Sequence, residues 1–323
     1  MKRAAALLCS ALLLSACGSG DPPESWEAYT AQGAYSATLS PDGRHAIIGS
    51  TQHGGSYWDT RLNERLYDWN HKADGYTNIV DSSFSSDGRF AATASSIDLV
   101  LWNTDDGKPV WYWIAPSEVL SIALSANGNY ALLGQGNHQA VYFDIQNGGI
   151  RRTLLHPARV SAVALDNIGS LALTGADDYS TRLWDIKTGE ELHSIQFENT
   201  VDTVELSDDG RFAFSSATLD KAYIWDTRSG EILHTLSGDE MLWKKRISYI
   251  SARFSADGQQ LLTGTASGSV QLWDVSSGAE LRHWKTHKRE AYGPTSTSIE
   301  AVGFGSDGSY YAIGSNGLLN VLR

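Results

Sequence analysis

The feature that most constrains this 323-residue chain is a turn that returns seven times. Its form is small-x-Asp/Asn-Gly, or close to it. It stands at Ser40-Pro41-Asp42-Gly43, Ser85-Ser86-Asp87-Gly88, Ser125-Ala126-Asn127-Gly128, Asp166-Asn167-Ile168-Gly169, Ser207-Asp208-Asp209-Gly210, Ser255-Ala256-Asp257-Gly258 and Gly305-Ser306-Asp307-Gly308. The glycines are 45, 40, 41, 41, 48 and 50 residues apart, and an apolar residue precedes each turn: Leu39, Phe84, Leu124, Leu165, Leu206, Phe254 and Phe304. A period near forty belongs to an array of one supersecondary unit, whose members must stack to bury their apolar faces.

A second anchor, an aromatic followed by Asp or Asn, lies 19, 18, 19, 19, 19 and 19 residues beyond the apolar one. These are Trp58-Asp59, Trp102-Asn103, Phe143-Asp144, Trp184-Asp185, Trp225-Asp226 and Trp273-Asp274. The interval accommodates two strands and two turns. A further turn and strand follow the aromatic, as in Ile186 to Glu190 and then Leu192 to Ile195, while Val201 to Leu206 alternates in the strand manner upstream of its turn. Each unit is therefore expected to hold four strands. With both anchors in place, the units resemble WD40 repeats, which implies an all-β, seven-bladed propeller and a role as a protein-interaction platform.

The ends obey the same spacing. Counting 19 from Phe304 reaches Arg323, so the seventh unit lacks a fourth strand, and counting back fifteen from Leu39 reaches Glu24. Residues 24 to 29 are expected to supply that strand, closing the ring and sparing it two unpaired sheet edges.

Upstream of the repeat, Lys2 and Arg3, an apolar run from Ala4 to Leu14, and Ser15-Ala16 have the layout of a secretory signal. Leu14-Ser15-Ala16-Cys17-Gly18 is similar to a bacterial lipobox, which implies cleavage before Cys17 and lipidation of its sulfur. The chain thus divides into a leader (1–16), a lipidated tether (17–23) and one propeller (24–323). In the lipoproteins this segment resembles, Asp after the lipidated Cys favours inner-membrane retention; Gly18 stands there instead, so the resemblance implies the outer membrane facing the periplasm. Cys9 leaves with the leader, so a mature chain holds one Cys and no internal disulfide. The closing strand is expected to enter from the face opposite the enlarged loops described below, directing those loops away from the bilayer.

Net charge is −12, or −14 without Lys2 and Arg3, which argues against nucleic acid as a partner. With 41% hydrophobic residues the chain can bury a large core. No nucleophile elbow, zinc-protease motif, Cys pair or phosphate loop is present, so no catalytic, cofactor-binding or metal residue is assigned.

The WD40 resemblance implies a hydrogen-bonded tetrad within a blade, matched in one unit by His156, Thr174, Asp178 and Trp184 and read as structural, since buried polar groups need partners. Asn103 to Trp111 also resembles the tryptophan-docking motif of quinoprotein-like propellers, whose eight-bladed relatives include an outer-membrane assembly lipoprotein; seven anchors favour seven blades.

Recognition is expected in the uneven connections. From aromatic to next apolar anchor the spacing is 22 in three units but 26, 29 and 31 after Trp58, Trp225 and Trp273. The last two connections carry Trp243, Lys244, Lys245 and Arg246, and Lys285, Lys288, Arg289 and Tyr292: cations and aromatics on an otherwise acidic protein. Long loops on a rigid scaffold commonly carry binding, so this set is the candidate surface for a protein partner in the cell envelope, acidic in character, or another polyanion. The competing class is a propeller enzyme, a lactonase or quinoprotein-like oxidoreductase, with its site at the channel mouth.

Overall fold

A computed structural model describes residues 20–72, 74–236, 247–289 and 297–323. Among these residues there are 28 strands and no helix, arranged as seven separate four-stranded antiparallel sheets. Blade 1 runs from inside to outside as Ala34–Leu39, His45–Ser50, Gly54–Asp59 and Glu64–Asp68. Blades 2 to 6 repeat that order from the inner strands Asp81–Phe84, Val119–Leu124, Val160–Leu165, Val201–Leu206 and Tyr249–Phe254. Blade 7 comprises Ile299–Phe304, Tyr310–Gly314, Leu318–Leu322 and, as its outer strand, Ser25–Ala28.

That outer strand closes the ring as the spacing requires: Trp26 pairs with Asn320 and Glu27 with Leu319, antiparallel. Glu24 adds a backbone bond to Val321 at 2.8 Å and an ion pair with Arg323 at 3.0 Å.

Both sequence anchors have a local cause. In the first turn the Asp side chain caps the loop it sits in. The Ser40 hydroxyl donates to Asp42 at 2.7 Å, as does the Arg44 N–H at 3.1 Å, and Gly43 takes a φ of +69° that a side chain would strain. In the second, the acidic residue accepts N–H groups of the following turn, as Asp226 does from Arg228 at 3.0 Å and Ser229 at 2.8 Å. In four blades the preceding aromatic is a Trp buried between sheets, and its indole N–H finds a hydroxyl on the second strand: Thr93 for Trp102, Thr174 for Trp184, Ser215 for Trp225, Thr263 for Trp273, at 2.8 to 3.2 Å. A buried donor left unpaired would cost about 1–3 kcal/mol, which explains the pairing of aromatic and Ser/Thr ten or so residues apart.

Packing is radial. Seven apolar clusters occupy the seven blade interfaces, from Tyr57, Trp69 and Trp102 between blades 1 and 2 to Tyr29, Leu39 and Leu319 between blades 7 and 1. Around the axis, inner strands are stitched by side chains reaching the next blade's backbone. Ser36 donates to Ile79 O at 2.7 Å, Asp81 accepts from Ile122 N at 2.9 Å, Ser121 from Val163 N at 3.3 Å, and Ser251 donates to Ile299 O at 2.7 Å. Polar residues on the channel side of the inner strands are thus part of the ring's cohesion.

Candidate functional site

Of the residues singled out in the sequence, Cys17, Trp243, Lys244, Lys245, Arg246 and Tyr292 lie outside the described residues. Lys285, Lys288 and Arg289 are placed at the end of blade 6's outer strand and in the connection that follows. Two of them hold the fold. The Lys285 ammonium donates to Ser267 O at 2.6 Å and Ser269 Oγ at 3.1 Å, and burial, then the nearby Lys288 charge, pulls its pKa down. Arg289 donates through both terminal nitrogens to the carbonyls of Thr30 and Ala31, residues 259 and 258 positions away, tying the blade 6 to 7 connection over the blade 7 to 1 connection. Lys288 is exposed and has no polar partner among the described residues. It is the described cation available to a partner.

The tetrad set of blade 4 meets differently from the arrangement the WD40 resemblance implies. Trp184 donates to Thr174 at 2.9 Å, but Arg182 stands between His156 and Asp178, bonding the imidazole Nδ1 at 2.8 Å and the carboxylate at 2.7 Å. Burial, then the Arg182 charge, pushes the His156 pKa down to about 4, so it is neutral and can accept from the guanidinium.

Blade 2 holds the continuous relay. The His71 Nδ1 meets Asp98 at 2.6 Å, its Nε2 meets Thr93 Oγ1 at 2.9 Å, and Trp102 donates to the same Oγ1 at 2.8 Å. Burial lowers the His71 pKa against the pull of Asp98. The network assigns Nδ1–H to the carboxylate and lets Nε2 accept from Thr93, a single proton direction with every partner satisfied. The reading that only the His156 unit matches is therefore corrected. His71 stands 22 residues before its Thr where His156 stands 18 before Thr174, because the longer blade 1 to 2 connection displaces it; the signal available was Thr93, Asp98 and Trp102 in correct relative order.

A second device links neighbouring blades at the rim. A side chain from one outer strand lies over the turn glycine of the next blade and bonds the carbonyl two residues before it. The pairs are Tyr67 over Gly107 bonding Asp105 O at 3.4 Å, Arg152 beside Gly189 bonding Lys187 O, His193 over Gly230 bonding Arg228 O at 3.2 Å, and His234 over Gly278 bonding Ser276 O at 3.2 Å. A Cβ at Gly107, Gly230 or Gly278 would fall 2.5 to 2.6 Å from those rings. Trp69 adds a bond to Gly107 O at 3.1 Å, and Trp111 and Trp113 pack on Phe143 of blade 3 at 5.3 and 4.0 Å. The segment resembling a docking motif thus docks on both sides.

The axial channel encloses about 350 Å³. Asp81, Asp202, Glu205, Asp208 and Glu300 line it against one Arg, Arg253, and no His lines it among the described residues. Burial raises the carboxyls of Asp81 to about 6 and Glu205 to about 7, the latter despite Arg253 at 3.6 Å. Four have structural partners: Asp81 the Ile122 N–H, Asp202 the Thr218 hydroxyl, Glu205 the Arg253 guanidinium and Glu300 the Ser298 hydroxyl. No group of three or more His, Cys, Asp or Glu among the described residues is arranged to hold a metal.

No curated protein matches the chain. The family model described as outer membrane protein assembly factor BamB matches residues 44–286, from the second strand of blade 1 to just past the outer strand of blade 6. With three quarters of its length matched, this seven-bladed propeller belongs to the BamB family of outer membrane protein assembly factors.

Proposed function

We propose that the protein is a lipid-anchored scaffold on the periplasmic face of the outer membrane, holding a protein partner engaged in outer-membrane protein assembly. The observation that carries this is the family match over residues 44–286, joined to a ring whose two longest connections in the sequence follow the neighbouring blades 5 and 6. The lipobox-like residues around Cys17 supply the anchor. Lys288, with Lys244, Lys245 and Arg246 and with Trp243 and Tyr292 as aromatic anchors, supplies a cationic face for an acidic surface of the partner. Lys285 and Arg289 shape that face from within the fold. The Trp102–Thr93–His71–Asp98 relay supports the likeness to WD40 repeats within a blade, and the rim clasps support the likeness to quinoprotein-like propellers.

The test uses the full lipidated chain in intact envelopes, with a photo-crosslinking residue at position 288. A discrete adduct with one envelope protein is expected. It should weaken at least tenfold when Lys244 and Lys245 are changed to Glu, and deletion of the protein should lower the level of assembled outer-membrane barrels. A crosslinking pattern indifferent to the charge reversals, with barrel levels unchanged on deletion, would overturn the reading. Arg289 is left intact, because changing it would untie the connection it holds.

A further inference from the structure

From Gly20 onward the tether segment does not hang from the ring. Gly20 and Asp21 lie along the outer edge of blade 6: the Asp21 N–H donates to His283 O at 2.8 Å, and Asp21 O accepts from Lys285 N at 2.9 Å, a parallel bridge opposite Trp284. Gly20 is pressed so closely against this strand that a Cβ there would meet His283 O and the Trp284 carbonyl carbon at 2.9 Å. The chain then crosses to blade 7 as the closing strand, where Trp26 stacks on His287 at 4.3 Å and 8°. The exit is lateral, on the rim between blades 6 and 7, rather than through the lower face that strand order alone suggests.

Resting on the reading of Cys17 as the lipidated residue, we propose that the rim of blades 6 and 7 is the surface this protein lays on a phospholipid bilayer, so that the propeller stands on edge with both of its faces open to the periplasm. Cys17 is three residues from Gly20, a reach of about 11 Å fully extended, too short to let a clamped rim drift far from the headgroups. The rim also suits that neighbour. Trp26 and Leu281 are 45% and 46% exposed beside the clamp, an aromatic and an aliphatic of the kind that seat at a membrane interface. The exposed charges around them nearly balance, Arg282 and Arg323 against Asp21, Glu24 and Glu27, on a chain whose total is −12. This stretch is therefore spared most of the repulsion that the protein's overall charge would exert on anionic lipid. Blade 3, half a ring away, faces the interior of the periplasm.

The experiment reconstitutes the full lipidated protein in phosphatidylethanolamine/phosphatidylglycerol vesicles. A fluorophore is placed at Leu281→Cys or, as control, at Leu155→Cys on the outer strand of blade 3, and quenching by lipids spin-labelled near the headgroup is read. The label at 281 should be quenched at least threefold more than the label at 155, and Gly20→Val, which cannot lie flat against blade 6, should bring the two close to equal. Equal quenching in protein that floats with the vesicles overturns the orientation while leaving the anchor standing. A contrast that survives Gly20→Val overturns the clamp as its cause. Protein that fails to float at all overturns the anchor reading, and this inference with it.

Discussion

Thr93 is the hinge of the blade 2 relay, and replacing it with Val removes one hydroxyl while keeping shape and volume. That oxygen is fully buried and serves two neighbours, accepting from the Trp102 indole at 2.8 Å and donating to His71 Nε2 at 2.9 Å. The variant strands both groups in an apolar interface. Each orphaned buried group costs about 1–3 kcal/mol, so a loss of about 2–6 kcal/mol is expected, a large fraction of a typical domain's total stability. Thr174→Val in blade 4 is the internal control. There the hydroxyl serves the Trp184 indole at 2.9 Å and a longer bond to Arg182 O at 3.2 Å, while His156 is held independently by Arg182. Its expected cost is about half as great, or about 1–3 kcal/mol. Urea unfolding followed by tryptophan fluorescence measures both, with the shift in midpoint read at constant slope. If Thr174→Val costs as much as Thr93→Val, or if Thr93→Val costs less than 0.5 kcal/mol (about the error of such comparisons), the relay does not operate as the geometry indicates.

Three further outcomes follow from other features. His156, with its folded pKa pushed from 6.5 to about 4, binds its proton more readily when unfolded, so its contribution to stability is lost as pH falls below 6.5; the stability gap between the wild type and His156→Asn should narrow by about 2 kcal/mol between pH 7 and pH 5 in urea titrations. Glu205 has the opposite sign: raised from 4.5 to about 7, it binds its proton more readily when folded and destabilises the native state as pH rises through that window. Glu205→Gln should therefore be more stable than wild type at pH 8 by up to about 3 kcal/mol and equal to it near pH 4, and a pH-independent difference would refute the assignment. Gly230→Ala and Gly278→Ala place a Cβ against His193 and His234 at 2.6 and 2.5 Å, whereas Gly148, with a similar φ of +70°, has nothing within 4 Å; thermal melts should show the first two losing about 1–3 kcal/mol more than Gly148→Ala, which carries only the left-handed strain.

The propeller was legible because its information is local. A turn such as Ser40 to Gly43 closes within four residues, an aromatic and the Asp after it cap the turn that follows, and both recur at nearly fixed spacing, so blade number and the closing role of residues 24 to 29 could be counted along the chain. The site was less legible. His71 escapes the repeat spacing because its distance from Thr93 is set by a connection of irregular length, and no spacing announces that Arg182 will come between His156 and Asp178. Composition marked Lys285 and Arg289 as surface charge, but whether a cation meets solvent or a carbonyl depends on which backbone passes nearby.

The amino-acid order by itself determined the unit, the number of units and the means of closure, since strand alternation, glycine turns and capping carboxylates act over a handful of residues. Only the tertiary structure decided which side chains meet across blades and connections: the clasp of His193 on the next blade's turn, the Arg289 tie to Thr30 and Ala31, and the lateral seat of Gly20 and Asp21 on blade 6. These contacts join segments as much as 264 residues apart, Asp21 and Lys285, and ring closure is what brings them within reach. A hydrogen bond needs its partners within about 3 Å, and along an open chain nothing specifies that proximity.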